Sequence, residues 1–319
     1  MPIAHAKWFV EDPAHHQADW GFLMDPLTLT MLFASIALAA LAAVVTRRLP
    51  SGLLPGLSPP ARLAGAMPRL LAVIVGITLP ILAASGWLLV PGASLDGVPG
   101  QDALLIAEAV LGLWLVSGVG VRLAAGALGA LCAILAVTSG PVTLLEGAYM
   151  PAIALYLTLG SGAGEAAERR AALAWRVLAV AVGVALIAAA FTEKLVAPTI
   201  MLSVLRDYPA LDILSTIGVA SSDMDYVRLM GSVEVLLGLL IATGIGGRVV
   251  PLSALGAFLV TVPIFGPVEL IGHLPVCAAL IAVATRPVTV DAVAGAWPAP
   301  IQRWSRRAGA RVALGSPGP

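Results

Sequence analysis

Among the ionisable residues that fall inside or at the edges of this chain's long apolar stretches, six are candidates for chemistry: Glu108, Glu193, Lys194, Glu234, Glu269 and His273. A charge at the centre of a bilayer helix costs about 2.5–3.5 kcal/mol on insertion scales, so each of these residues calls for a reason. Glu108 and Glu234 lie several residues inside apolar runs, where a carboxyl group can accept protons or hold a ligand. Either could equally be a neutral acid that hydrogen-bonds a neighbouring helix. Glu269 and His273, four residues apart, share one face of a helix. Such a face could bind a quinone carbonyl, take up its protons or supply two metal ligands. Glu193 and Lys194 close the preceding apolar run and could join that site. The alternative is an interfacial salt bridge from Lys194 to a glutamate, with His273 capping exposed polar groups.

The other three histidines, His5, His15 and His16, lie in a polar opening segment. A short His-rich segment can bind metal, and it also reads as a solvated arm. The Pro2-Ile3-Ala4 run resembles the end of a signal peptide, and cleavage there would leave an N-terminal His5 able to chelate copper. Cys132 and Cys277 sit in apolar runs far apart and read as small packing residues. No CxxC pair and no phosphate-cradling glycine loop is present, and nucleic acid is not an expected partner.

These side chains must be positioned by helices in lipid. Of the 319 residues, 59% are hydrophobic and 11% charged, with a mean hydropathy of +0.97. A soluble domain carries roughly 25% charged residues, so the solvent for most of this chain is a bilayer. The apolar runs are continuous and lack the alternation of barrel strands, so the spans are helical. About nine are expected, at residues 26–46, 70–90, 103–121, 123–140, 142–160, 173–192, 227–247, 249–266 and 268–285.

With nine spans, 14 of the 18 Lys and Arg residues fall on one side, leaving Lys7, Lys194, Arg206 and Arg228 for the other. The rich side is the cytoplasm, which places the N-terminus in the periplasm and the C-terminus inside a bacterial inner membrane. Every histidine then faces outward. The outer loop 194–226 has an apolar middle, residues 213–219, which predicts an interfacial or re-entrant helix.

The chain also repeats itself. Glu108, Gly112, Gly118, Gly120 and Arg122 recur 126 residues later as Glu234, Gly238, Gly244, Gly246 and Arg248. Residues 81–91 resemble 187–198, and LLEGAYMPAIAL at 144–155 resembles VELIGHLPVCAAL at 268–280. The expected architecture is an all-α bundle: an arm (1–25), a leading helix (26–48), two parallel four-helix repeats (70–160 and 173–286) and a cytoplasmic tail (287–319). The glycines would let helix backbones approach closely.

The Glu–Gly–Arg ladder, the F-T-E-K-L sequence at 191–195 and a last span opening with Glu269 resemble the DoxX/DoxD family of four-helix membrane proteins. The opening A-H-A-K-W-F at 4–9 also resembles the start of longer DoxX-like proteins. The resemblance covers 173–286 best and 70–160 more weakly, because the first copy has Gly86-Trp87 where the second has Glu193-Lys194. That departure points to the second copy as the seat of any site. The resemblance implies membrane redox chemistry, with quinone-linked thiosulfate oxidation among the family's associations.

Three functions follow as expectations. One is a quinone-interacting subunit or accessory of a periplasm-facing redox system with a redox partner protein; as an enzyme it would be a quinone-linked oxidoreductase subunit. The second is a non-catalytic scaffold or assembly partner. The third is a protein that handles copper or another metal on its outer face. Transport would need a polar path, and the spans at 123–140 and 249–266 carry no ionisable residue.

Overall fold

The computed structural model describes residues 6–10, 16–48, 61–160 and 165–285. His5, His15 and the expected tail lie outside the described residues. Helices occupy all nine expected positions: α2 (Pro26–Arg48), α3 (Ala61–Ala84), α4 (Gln101–Ser117), α5 with α6 (Val121–Glu146, Tyr149–Leu159), α7 (Glu165–Ala190), α10 (Asp223–Thr243), α11 (Val249–Phe265) and α12 (Pro267–Thr285). α1 (Trp20–Met24) precedes α2, while α8 (Pro198–Asp207) and the single turn α9 (Ile213–Thr216) cross the loop between α7 and α10. The one β-type pairing among the described residues is an isolated bridge, Trp87 to Ser94.

Among the described residues, six helices have the length and apolarity to cross a membrane, or seven if the bent pair of residues 140–146 and α6 counts as one span. α4 and α11, at 17 residues each, are about 25 Å long and sit at the short limit for a span. Outward-facing positions are apolar: Phe33 and Leu41 on α2, Ile106 and Leu113 on α4 and Val137 on α5 are all exposed. A surface of this kind is stable in lipid and not in water, and the chain is a multi-pass helical membrane bundle.

The repeat is visible in the packing. α3 crosses α4 where Gly76 meets Gly112, and α7 crosses α10 where Gly183 meets Gly238. A Cβ built on Gly112 would lie 2.6 Å from the Gly76 carbonyl, and one built on Gly238 would lie 2.6 Å from the Gly183 carbonyl. Only glycine allows backbones so close, which is how dispersion holds helices together when lipid is as apolar as Leu. The motif glutamate sits one turn before each crossing. Six residues after it, Gly118 and Gly244 end α4 and α10 at φ 76° and 72°, left-handed caps that a side chain would strain.

The correspondence runs further than the motif. Gly140-Pro141 and Gly266-Pro267 keep the 126-residue offset. Both glycines leave helical geometry, at φ/ψ 86°/168° and 77°/−153°. Past this break the copies part. Ten residues separate Pro141 from Pro151, and eight separate Pro267 from Pro275. The first copy takes up its two extra residues as a 60° bend between Glu146 and Tyr149, whereas α12 runs unbroken from Pro267 to Thr285.

The leading helix is tied to α10. Arg228 donates to Asp225 at 2.8 Å and to Thr28 at 3.0 Å, approaches Asp25 at 3.6 Å and lies 4.7 Å over the Phe22 ring. At the other end of the bundle, Trp175 Nε1 donates to the carbonyls of Ala282 and Val283, fastening α7 to α12. The amphipathic helix of the long loop lies earlier than expected. α8 buries Ile200, Met201, Val204 and Leu205, one face at helical spacing, and has Pro198 at its first position. Residues 213–219 form only the turn α9, because Gly218 at φ 79° stops it, and Ile217 stays exposed.

Candidate functional site

The buried charges gather at the end of the bundle where the N-terminal arm docks. There α7 leaves α-helical geometry and adds a π turn, Phe191–Leu195. The wider turn packs against Gly231 of α10, where a Cβ would lie 2.8 Å from Leu195. It turns both Glu193 and Lys194 inward, and neither is exposed. Lys194 Nζ lies 3.0 Å from Glu234 Oε1 and 3.9 Å from Glu193 Oε2. The salt bridge is buried within the protein, and it joins three of the expected site residues. Breaking such a pair costs about 3–5 kcal/mol, because it strands a charge in a low-dielectric interior.

Glu269 and His273 meet across one turn of α12, with Glu269 Oε2 3.1 Å from His273 Nδ1. The Thr261 hydroxyl of α11 donates to the other carboxylate oxygen. The imidazole lies between two aromatic rings, Trp8 at 4.8 Å and Phe258 at 4.5 Å between centroids. At 2% exposure His273 is sealed in, so it does not cap exposed polar groups.

Glu108 stands apart from these groups. Its Oε1 accepts the Leu89 backbone N–H at 2.9 Å. Leu89 has φ 64°, a left-handed conformation that costs a branched residue on the order of 1 kcal/mol, so the carboxylate fastens a strained turn. The two motif glutamates thus occupy equivalent places and have different partners.

The arm completes the site. Residues Ala6–Phe9 form a 3-10 turn set into the bundle end. The Ala6 N–H donates to Glu193 at 2.7 Å. Lys7 is ion-paired with Glu146, whose other oxygen accepts the Thr192 hydroxyl at 2.6 Å. Trp8 lies on His273 and fills the space beside Gly272, where a Cβ would come within 2.4 Å of its ring. Phe9 stacks on Phe265 at 4.0 Å. Burial pulls the Lys7 ammonium below its ordinary range, while the Glu193 carboxylate pulls it back up.

Lys7 and Glu146 are the polar pair that the sequence did not single out. Glu146 was present in the segment compared with 268–280, but it falls three residues after the position matching Glu269. The two residues lie 139 positions apart, so only the docked arm brings them together.

Beside this pair opens a cavity of about 390 Å³. Trp8 and Lys7 form one wall, Pro91 to Ser94 another, and Thr138, Ser139, Thr143, Glu146 and Tyr149 a third. The third wall flanks the Gly140 break. Non-helical backbone at membrane depth is tolerated where it is covered by protein or lines a cavity. The cavity opens in the first repeat, beside the Gly140 break.

No group of three or more His, Cys, Asp or Glu residues that could hold a metal occurs among the described residues. His16 is half-buried and bonds Thr199 at 2.9 Å, apart from the buried network. Comparison of the chain with family models, with curated proteins and with solved structures finds no match.

Proposed function

We propose that this chain is a quinone-interacting subunit of a membrane redox system, working at the arm end of the bundle. The observation that carries the reading is the cavity with an ion pair on its wall and a network of buried acids, lysine and imidazole behind it. Reducing a quinone to a quinol takes two electrons and two protons. Lys7, Glu146, Glu193, Lys194, Glu234, Glu269 and His273 are groups that can hold and pass protons at that end. The electrons come from a partner protein. The Lys and Arg bias puts this end outside, in the periplasm of a bacterial inner membrane, and the DoxX-like motif residues point to the same class of chemistry.

A second reading has an observation of its own. Each motif acid already has a partner within the chain, Glu108 in the Leu89 amide and Glu234 in Lys194, as a scaffold held by polar contacts would require. Substituting Glu146 by Gln in gently purified protein separates the two. If quinone-dependent electron transfer falls while helicity and melting are kept, the redox subunit stands. If melting drops and no redox activity changes, the scaffold stands and the first reading fails.

A further inference from the structure

We infer that the cavity of the first repeat is the seat of the ring, and that the N-terminal arm contributes a ligand-contacting residue, Lys7. The inference rests on the quinone reading above and locates its site. A volume of about 390 Å³ lies within the roughly 300–1,000 Å³ of small-molecule pockets. The chemistry of the walls selects the ligand class. One pole carries the Lys7 ammonium, three donors on a flexible stem, facing the Glu146 carboxylate, which can only accept while ionised.

A ring with a carbonyl takes a hydrogen bond from Lys7, and its reduced form gives a hydroxyl hydrogen to Glu146. The same pole therefore serves both redox states. Trp8 and Tyr149 supply aromatic wall, and Ser139 and Thr143 supply further hydroxyls beside the Gly140 break. The ligand class is a lipid-soluble ring bearing oxygens that alternate between acceptor and donor.

The Lys7 side chain is 27% exposed while Glu146 is 5% exposed, so the lysine is the group that meets an incoming ring first. The second repeat is built differently at its matching turn. There α12 continues unbroken, and His273 packs against Trp8 and Phe258.

The test is photolabelling of the full-length chain in detergent with a short-chain azidoquinone, followed by mapping of the labelled peptides. Label is expected on the peptides carrying residues 7–8 and 138–149, and excess unlabelled quinone should displace it. Ser94→Trp, on the exposed loop wall, fills the cavity without touching the ion pair and should cut labelling about tenfold. Lys7→Met should cut it as much and Lys7→Arg less, with melting and helicity recorded for each variant.

Displaceable label confined to the peptides around 193–201 or 269–276 would overturn this site and leave the quinone reading intact. Label at residues 138–149 that is indifferent to both Ser94→Trp and Lys7→Met would also overturn it. No displaceable label anywhere, and no quinone in the purified protein, would overturn the quinone reading itself.

Discussion

The two repeats share a frame and differ in what they do with it. Both cross on a glycine pair, carry a glutamate one turn before the crossing, end on a left-handed glycine and break at a Gly-Pro. In the second repeat Glu193, Lys194, Glu234, Glu269 and His273 are all buried. The π turn buries Lys194 against Glu234, and α12 runs unbroken and presents Glu269 and His273 to Thr261, Trp8 and Phe258. In the first repeat no lysine faces Glu108, and two extra residues bend the chain so that Glu146 reaches a cavity wall. The arm spans both copies, giving Ala6 to the second, Lys7 to the first and Trp8 to both. Duplication here separates a copy that seals from a copy that opens.

On that contrast, the largest effect belongs to the sealed copy. Lys194→Met should destabilise the protein by about 3–5 kcal/mol, seen as a large fall in melting temperature, with much of the loss recovered in a Lys194→Met, Glu234→Gln double variant. Equal losses from the single and double variants would mean that the pair is not coupled.

Next come the crossings, where the copies should behave alike. Gly112→Leu and Gly238→Leu should each cost about 1–3 kcal/mol or more by overpacking, because each Cβ runs into a backbone carbonyl. A large cost in one repeat with none in the other would contradict the shared frame.

A smaller stability effect with a larger binding effect is expected at Lys7. The Lys7 pKa is lowered in the fold, so between that value and the ordinary 10.5 the unfolded chain binds more protons. Stability from this group therefore rises with pH across that window, as the native lysine sheds its charge first. Quinone binding that uses the ammonium should run the other way, weakening as pH climbs toward 10.5, and Lys7→Met should abolish that step. A binding curve with the same step in the variant would assign the titration to another group.

The smallest effect is Glu108→Gln, about 1 kcal/mol or less, since the amide oxygen still accepts the Leu89 N–H. A loss as large as that of Lys194→Met would show that Glu108 carries a charge the fold depends on.

Much of the frame was legible in the residues. Apolar length located the nine helices, and the fixed 126-residue offset found the glycines that make the crossings. Glu234 is buried beside Lys194, a partner that the sequence placed in the same group of residues. What could not be read depends on contacts distant in sequence or on small shifts of register. Lys7 finds Glu146 only through the docked arm. The bend in the first copy depends on two residues lying between matched prolines, and Gly140-Pro141 gains its meaning once Gly266-Pro267 is seen to break the same way. The loop helix was expected at 213–219 because that stretch is apolar, whereas the helix forms at 198–207 where apolar residues fall on one face.

The central claim is that the open repeat holds a quinone, and the most direct test is the quinone content of the purified protein with and without Glu146. Wild-type protein should carry close to one quinone per chain, and Glu146→Gln should lose most of it at unchanged helicity. Equal quinone content in the two proteins, or none in the wild type, would contradict the account.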